Sequence, residues 1–247
     1  MQYFNTGVKT MMTLALLDMF KNKYHLEPSY EQELQAIILL PWTPKIFYGI
    51  ITDTFPIFGS RKRSYIILMG LMQCAAALCI ALIPFETAEP VAILGTLIFL
   101  AGAFMDVVVD GLMVQQQRLD PAKGSEDLQS LSWAMYGVGG VVGSGAGGLA
   151  TQYGYSEYVF YSLGAIGLIV ALTGFLMSSR LEASAEFIVN MTLCERIKLN
   201  FREIKKGFKV REFHRAVIFF MLLGALVPSF TDYFYYYLID ISGITPF

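Results

Sequence analysis

Charge is scarce in this chain of 247 residues. Asp, Glu, Lys and Arg make up 15% of it, where a soluble domain of this size carries about 25%. The shortage argues against a water-facing globular surface. Cysteine is equally sparse: Cys74 and Cys79 share one apolar run and Cys194 lies in a polar one, which makes neither a disulfide framework nor a metal-binding spacing. The two histidines, His25 and His214, are far apart, with no ligand cluster near either. No metal, cofactor or nucleophile–base pair is expected, and hence no enzyme. A net charge of -2 gives no basis for a nucleic-acid partner.

What the chain has in quantity is apolar length. It is 55% hydrophobic, with a mean hydropathy of +0.53. Crossing hydrocarbon takes about 20 apolar residues in a helix. Seven segments fit that length, at 3–20, 33–53, 65–84, 91–114, 130–150, 158–178 and 216–239. The first two are the weakest, because each carries charge. The expected fold class is an all-α, multi-pass membrane protein whose surroundings are the lipid bilayer.

Lys and Arg set the expected orientation. The segments after spans two, four and six hold 14 of the 18 basic residues, Arg61, Lys62 and Arg63 among them. The opposite loops hold only Lys21 and Lys23. The even-numbered loops and the N-terminus are therefore expected on the positive-inside side, cytoplasmic or matrix/stromal. Within 179–215, Leu193, Ile197, Ile204 and Phe208 fall near one helix face, with Lys205, Lys206 and Lys209 around it. That pattern fits an amphipathic helix on the headgroups or one covering the inner ends of the spans.

Three features carry chemical meaning. Asp106 and Asp110 share a face of span four. Each ionised acid at mid-membrane costs about 2.5–3.5 kcal/mol, so both need a wet cavity, a cation or a proton. Lys45 and Lys9 are the available cations, and a structural ion pair and a substrate or proton site both remain open. The second feature is the loop Gly49, Asp53, Gly59, Arg61, Lys62, Arg63. Its cations suit a surface anchor, but Asp53 gains nothing from one, so the loop reads as a charge latch on the inner face. The third is Gly139, Gly143 and Gly147. Gly143 to Gly148 fits G-x-G-x-x-G, but inside a span it lacks the strand a dinucleotide site requires. Spacing at i, i+4, i+8 instead gives a helix-packing groove. Pro41 and Pro44 should kink span two beside Lys45.

These residues resemble a known family. Pro41-Trp42-x-x-Lys45, Tyr48-Gly49, Asp53 and Pro56-Ile57-x-Gly59-x-Arg61-Lys62-Arg63-x-Tyr65 are similar to the signature of the folate-biopterin transporters, a branch of the major facilitator superfamily. Asp106-Val107-Val108-Val109-Asp110 and Leu128-Gln129-Ser130-x-x-Trp133 match further on, and the likeness runs in order from about residue 3 to the end. The resemblance implies a carrier of two six-helix bundles moving folate or a pteridine-like molecule by alternating access, with proton symport. Spans one, four and seven would line its cavity. Lys45 would meet an anionic substrate, and the Gly49-to-Arg63 loop would be the inner gate. The chain departs from the pattern at Ile46 and Ser64, and at Gln115 and Gln116, where the family often has Glu and Arg.

The expected organisation is a six-helix transmembrane bundle over 1–178, a basic amphipathic linker over 179–215, and the first helix of an incomplete second bundle over 216–247. The helices expected to pack on the glycine groove and over Asp53 belong to that second bundle or to neighbouring membrane subunits. Two functions follow: a transporter or part of one, or a non-transporting structural subunit of a larger membrane complex descended from such a transporter.

Overall fold

The computed structural model describes residues 1–60, 62–117, 123–177, 193–226 and 237. Arg61 and most of the seventh expected span lie outside them. The described residues fall into two units, which divide between 177 and 193. Among the described residues no strand forms beyond an isolated bridge between Ile57 and Ser60. This is an all-α membrane protein.

The first unit opens with a broken helix, α1 (Gln2–Val8) and α2 (Thr10–Asp18), joined at Lys9 and closed by a π-turn at Met19–Lys23. α3 (Pro28–Leu39) starts on a proline, whose missing N–H is no loss at a helix start. Pro41 and Pro44 then do more than kink the second span. A 3-10 turn at Leu40–Trp42 interrupts it, and α4 (Lys45–Thr54) restarts with Lys45 as its first residue. α5 (Arg63–Leu82) stops where Ile83 turns extended ahead of Pro84, the conformation that a following proline favours.

α6 (Ala88–Gln117) is the longest helix, at 30 residues. At 1.5 Å per residue it runs roughly 45 Å, so Glu89 and Gln115 to Gln117 reach past a hydrocarbon core about 30 Å thick. α7 (Gly124–Gln152) places Glu126 and Asp127 in its first turn, where the helix dipole favours acids. α8 (Val159–Leu176) follows a 3-10 turn at Ser156–Tyr158. Among the described residues, four runs are long and apolar enough to cross a membrane: Pro28–Thr54, Arg63–Leu82, Ala88–Gln117 and Ser156–Leu176. α1–α2 and α7 are not among them. The first is cut short at Lys9, and α7 combines a polar first turn with many glycines.

α1 and α2 pack along α7, α3 and α4 along α6, and α5 against α6 and α8. The first of these seams corrects an expectation. The glycine groove of α7 is filled from within the same unit. A Cβ at Gly139 would lie 2.4 Å from the Phe4 carbonyl oxygen, one at Gly143 2.7 Å from the Val8 carbonyl oxygen, and one at Gly147 2.7 Å from the Met11 Cα. The contact is backbone on backbone, and Gly7 returns it at 2.2 Å from the Tyr136 carbonyl oxygen. Lipid tails are as apolar as leucine, so close van der Waals approach drives such pairing in a membrane.

In the second unit, α9 (Leu193–Gly207) carries Glu195 in its first turn and Lys205 and Lys206 in its last, matching the helix dipole at both ends. α10 (Arg211–Leu226) begins ahead of residue 216, inside the stretch expected to be linker.

Candidate functional site

A cavity of about 780 Å³ opens into the first unit, within the range that holds drug-sized molecules. Its walls come from α1–α2 (Tyr3, Thr6, Lys9, Thr10, Thr13), the second span (Leu39, Trp42, Lys45), α6 (Phe99, Asp106, Asp110, Met113) and α7 (Gln129, Trp133, Tyr136). α5 and α8 contribute nothing to it. Of the spans expected to line the cavity, one and four do so, spans two and five join them, and most of span seven lies outside the described residues.

The proline break puts Lys45 at the start of α4, beside α6. Its ammonium donates to Asp106 Oδ2 at 2.5 Å and lies 4.0 Å from the centre of the Trp42 ring. The Asp106 side chain is 11% exposed and that of Lys45 33%. Asp110, one turn further along α6, does not join this pair. It accepts a hydrogen bond from the Tyr3 hydroxyl. Lys9, the second candidate cation, reaches neither acid. Its ammonium donates to the Ile98 carbonyl at 3.1 Å and faces the Phe99 ring. Gly102 leaves the space for it, since a Cβ there would lie 2.1 Å from Lys9 Nζ.

The loop between α4 and α5 makes a second charged site. Lys62 is buried and bonds Asp53 at 2.9 Å. Asp53 thus has its cation within the loop itself, where a helix of another bundle was expected to provide for it. Lys62 also presses on α6, with its ammonium 2.8 Å from where a Cβ of Gly111 would sit. Gly59 takes φ +74° at the turn, Arg63 opens α5, and Gly49 faces Val107 of α6. Tyr48 of α4 and Phe104 of α6 stack with ring centroids 4.1 Å apart.

Sequence reasoning missed a buried polar network that joins α1, α5 and α8. Asn5 and Gln73 exchange two amide hydrogen bonds, at 3.0 and 2.9 Å, and Gln2 and the Leu163 carbonyl extend the set. Both central residues are fully buried. Polar side chains inside apolar spans were the available signal. Tyr3 gave none, because a tyrosine at a span end reads as part of the interfacial belt. At the opposite rim Lys23 bonds Glu157. Burial pulls the lysine pKa down, but that hydrogen bond and the glutamate's charge outweigh it and leave the pKa raised. Trp42 Nε1 and Gln115 Oε1 are buried without a hydrogen-bond partner among the described residues.

Comparison with known proteins agrees with this architecture. The family model described as the BT1 family matches residues 6–246. The chain is 32% identical over 163 residues to a probable folate-biopterin transporter 4 of Arabidopsis thaliana, covering 64% of this chain and 33% of that one. It is 32% identical over 185 residues to a folate-biopterin transporter of Synechocystis, covering 74% and 37%. It is 22% identical over 243 residues to folate transporter 2 of Plasmodium falciparum, covering 97% and 50%. The chain spans about a third to a half of the length of these relatives. No solved structure gives a significant match. The chain, an integral multi-pass membrane protein, belongs to the BT1 family, the folate-biopterin transporters.

Proposed function

We propose that this chain forms the N-terminal bundle of a carrier for folate or a pteridine-like molecule, working by proton-coupled alternating access. Lys45, Asp106 and Asp110 serve as its substrate and proton site. The observation that carries the reading is the Lys45–Asp106 pair in the wall of the cavity. A pair with only a structural role needs no access to solvent: enclosure strengthens its attraction, at the cost of both charges' hydration. This pair borders open volume, where an anionic substrate can take Lys45 from Asp106 and a proton can then neutralise the released acid. Asp110, held only by a phenol, is the second proton acceptor. The names of the relatives, which are folate and folate-biopterin transporters, point to the substrate class.

The Asp53–Lys62 bond acts as the inner gate latch in this reading. It ties the end of α4 to the loop and, through Lys62, to α6 beside Gly111. Opening the inner face requires that bond to break. The N-terminus lies on the positive-inside side, with the Lys62 loop.

Uptake of labelled folate and biopterin by cells expressing the complete carrier tests the site. Asp106→Asn and Lys45→Ala each abolish uptake when it is measured per carrier present at the cell surface. Unchanged uptake in both variants defeats the assignment. The second reading, a non-transporting subunit, takes its support from Gln115 and Gln116, which are neutral where the family often has charge. It predicts no uptake by the unmodified protein and a stable complex with other membrane chains.

A further inference from the structure

The cavity holds two lysines and two aspartates, yet only one ion pair forms among them. Lys45 and Asp106 take each other. Lys9 is 3% exposed, and among the described residues no carboxylate lies within 4.0 Å of it. One backbone carbonyl and one ring face are its company. Asp110 receives a hydrogen bond from Tyr3, which supplies a dipole but no charge. The cavity therefore has a cation without a direct ion pair at one end and an acid without one at the other, with the Lys45–Asp106 pair between them. Lys9 sits against Gly102, and Gly102 and Asp110 lie eight residues apart on one helix, roughly 12 Å along its axis. Trp42, Trp133 and Tyr136 line the same cavity.

We propose that the cavity is built for a bipolar ligand. Lys9 binds its carboxylate, Asp110 accepts hydrogen bonds from an N–H edge of a flat heteroaromatic ring, and the aromatic walls hold the ring. This rests on the carrier reading and deepens it, because it makes Lys9 the residue that sets specificity. A pterin ring presents an amino group and a ring N–H side by side, a geometry that meets both oxygens of a carboxylate. Folates carry that edge together with the carboxylates of a glutamate tail. Biopterin carries the edge alone. Gly102 belongs to the same site, since any side chain there occupies the position of the Lys9 ammonium.

The test compares the two substrates in the complete carrier reconstituted in liposomes. Lys9→Met raises KM for folate about tenfold or more, the loss of one charged hydrogen bond, and leaves KM for biopterin within about twofold. Lys9→Arg restores part of the folate affinity, and Asp110→Asn weakens both substrates. Equal losses for both substrates in Lys9→Met reduce Lys9 to a packing role and overturn the proposal, and so does no change in either. If Lys9→Met does not fold, competition in the unmodified carrier answers the same question. p-Aminobenzoylglutamate, which has the carboxylates without the edge, and pterin, which has the edge alone, must each inhibit folate uptake. Failure of p-aminobenzoylglutamate to compete overturns the carboxylate end. A carrier that moves neither folate nor biopterin removes the carrier reading itself, a result distinct from any loss confined to Lys9→Met.

Discussion

Helix α7 contains its own control for the glycine groove. Gly139 and Gly143 face α1 and α2, whereas Gly140 and Gly145 have nothing within 4 Å of an added Cβ. Replacing any of these glycines by alanine brings the same gain in helix propensity, about 1 kcal/mol. That term cancels when variants within the helix are compared. What remains is the clash. At Gly139 the methyl group would stand 2.4 Å from a carbonyl oxygen, and at Gly143 2.7 Å from another and 2.5 Å from Thr10 Oγ1. Most of these neighbours are backbone, so no rotamer change relieves them and α1–α2 must move away as a body. Overpacking of this kind costs about 1–3 kcal/mol. Gly139→Ala and Gly143→Ala are therefore expected to be less stable than Gly140→Ala and Gly145→Ala by that amount. Equilibrium unfolding in mixed micelles, titrated with dodecyl sulfate and followed by circular dichroism, measures it. Equal midpoints for the two pairs would refute the placement of α1 and α2 in the groove.

Two further predictions use the same titration. Lys45→Ala strands Asp106 in the cavity wall and costs on the order of 3 kcal/mol, the lower end for breaking a buried pair, because the Lys45 side chain is one-third exposed. Lys45→Ala/Asp106→Ala recovers much of that loss, and a double variant as damaged as the sum of the single ones contradicts the pairing. Gln73→Leu leaves the Asn5 amide without its main partner and costs about 1–3 kcal/mol. Adding Asn5→Ala to it costs less than Asn5→Ala does alone in the native background, and strict additivity would count against a shared network.

The helical class was legible in the sequence, and so, to within about three residues, were the helices expected at 65–84, 91–114 and 158–178, because hydropathy and helix length answer to the same bilayer thickness. The Lys45–Asp106 pair was half legible. Intramembrane charges must find partners, so Lys45 and Lys9 were both candidates, but one-dimensional spacing does not say which lysine reaches which acid. The decision falls to the prolines. By breaking the second span at residues 40–44 they turn Lys45 into the first residue of a new helix, at a height matched to Asp106. The partner of the glycine groove was misjudged for a related reason. A groove announces that a helix will come close without naming it, and the family resemblance pointed to a helix of the second bundle. Phe4, Val8 and Met11 fall at i, i+4 and i+7, on one helix face, and all three reach α7.

The glycines of α6 were read as nothing in particular, and they explain how three lysines from three elements converge on one helix. Lys45 meets α6 at an acid, Asp106, where attraction between charges suffices. Lys9 and Lys62 meet it at Gly102 and Gly111, where a cation's head occupies the volume a side chain would fill. Each glycine weakens the helix by about 1 kcal/mol relative to alanine, which selection would remove at sites of no use. Yet both stand within a helical turn of Asp106 or Asp110. Small residues next to intramembrane acids thus serve here as seats for the counter-charges as well as contacts for neighbouring helices. A tilt of α6 against α1 or against the Lys62 loop is therefore expected to move a lysine off its glycine and to alter the field at the neighbouring aspartate.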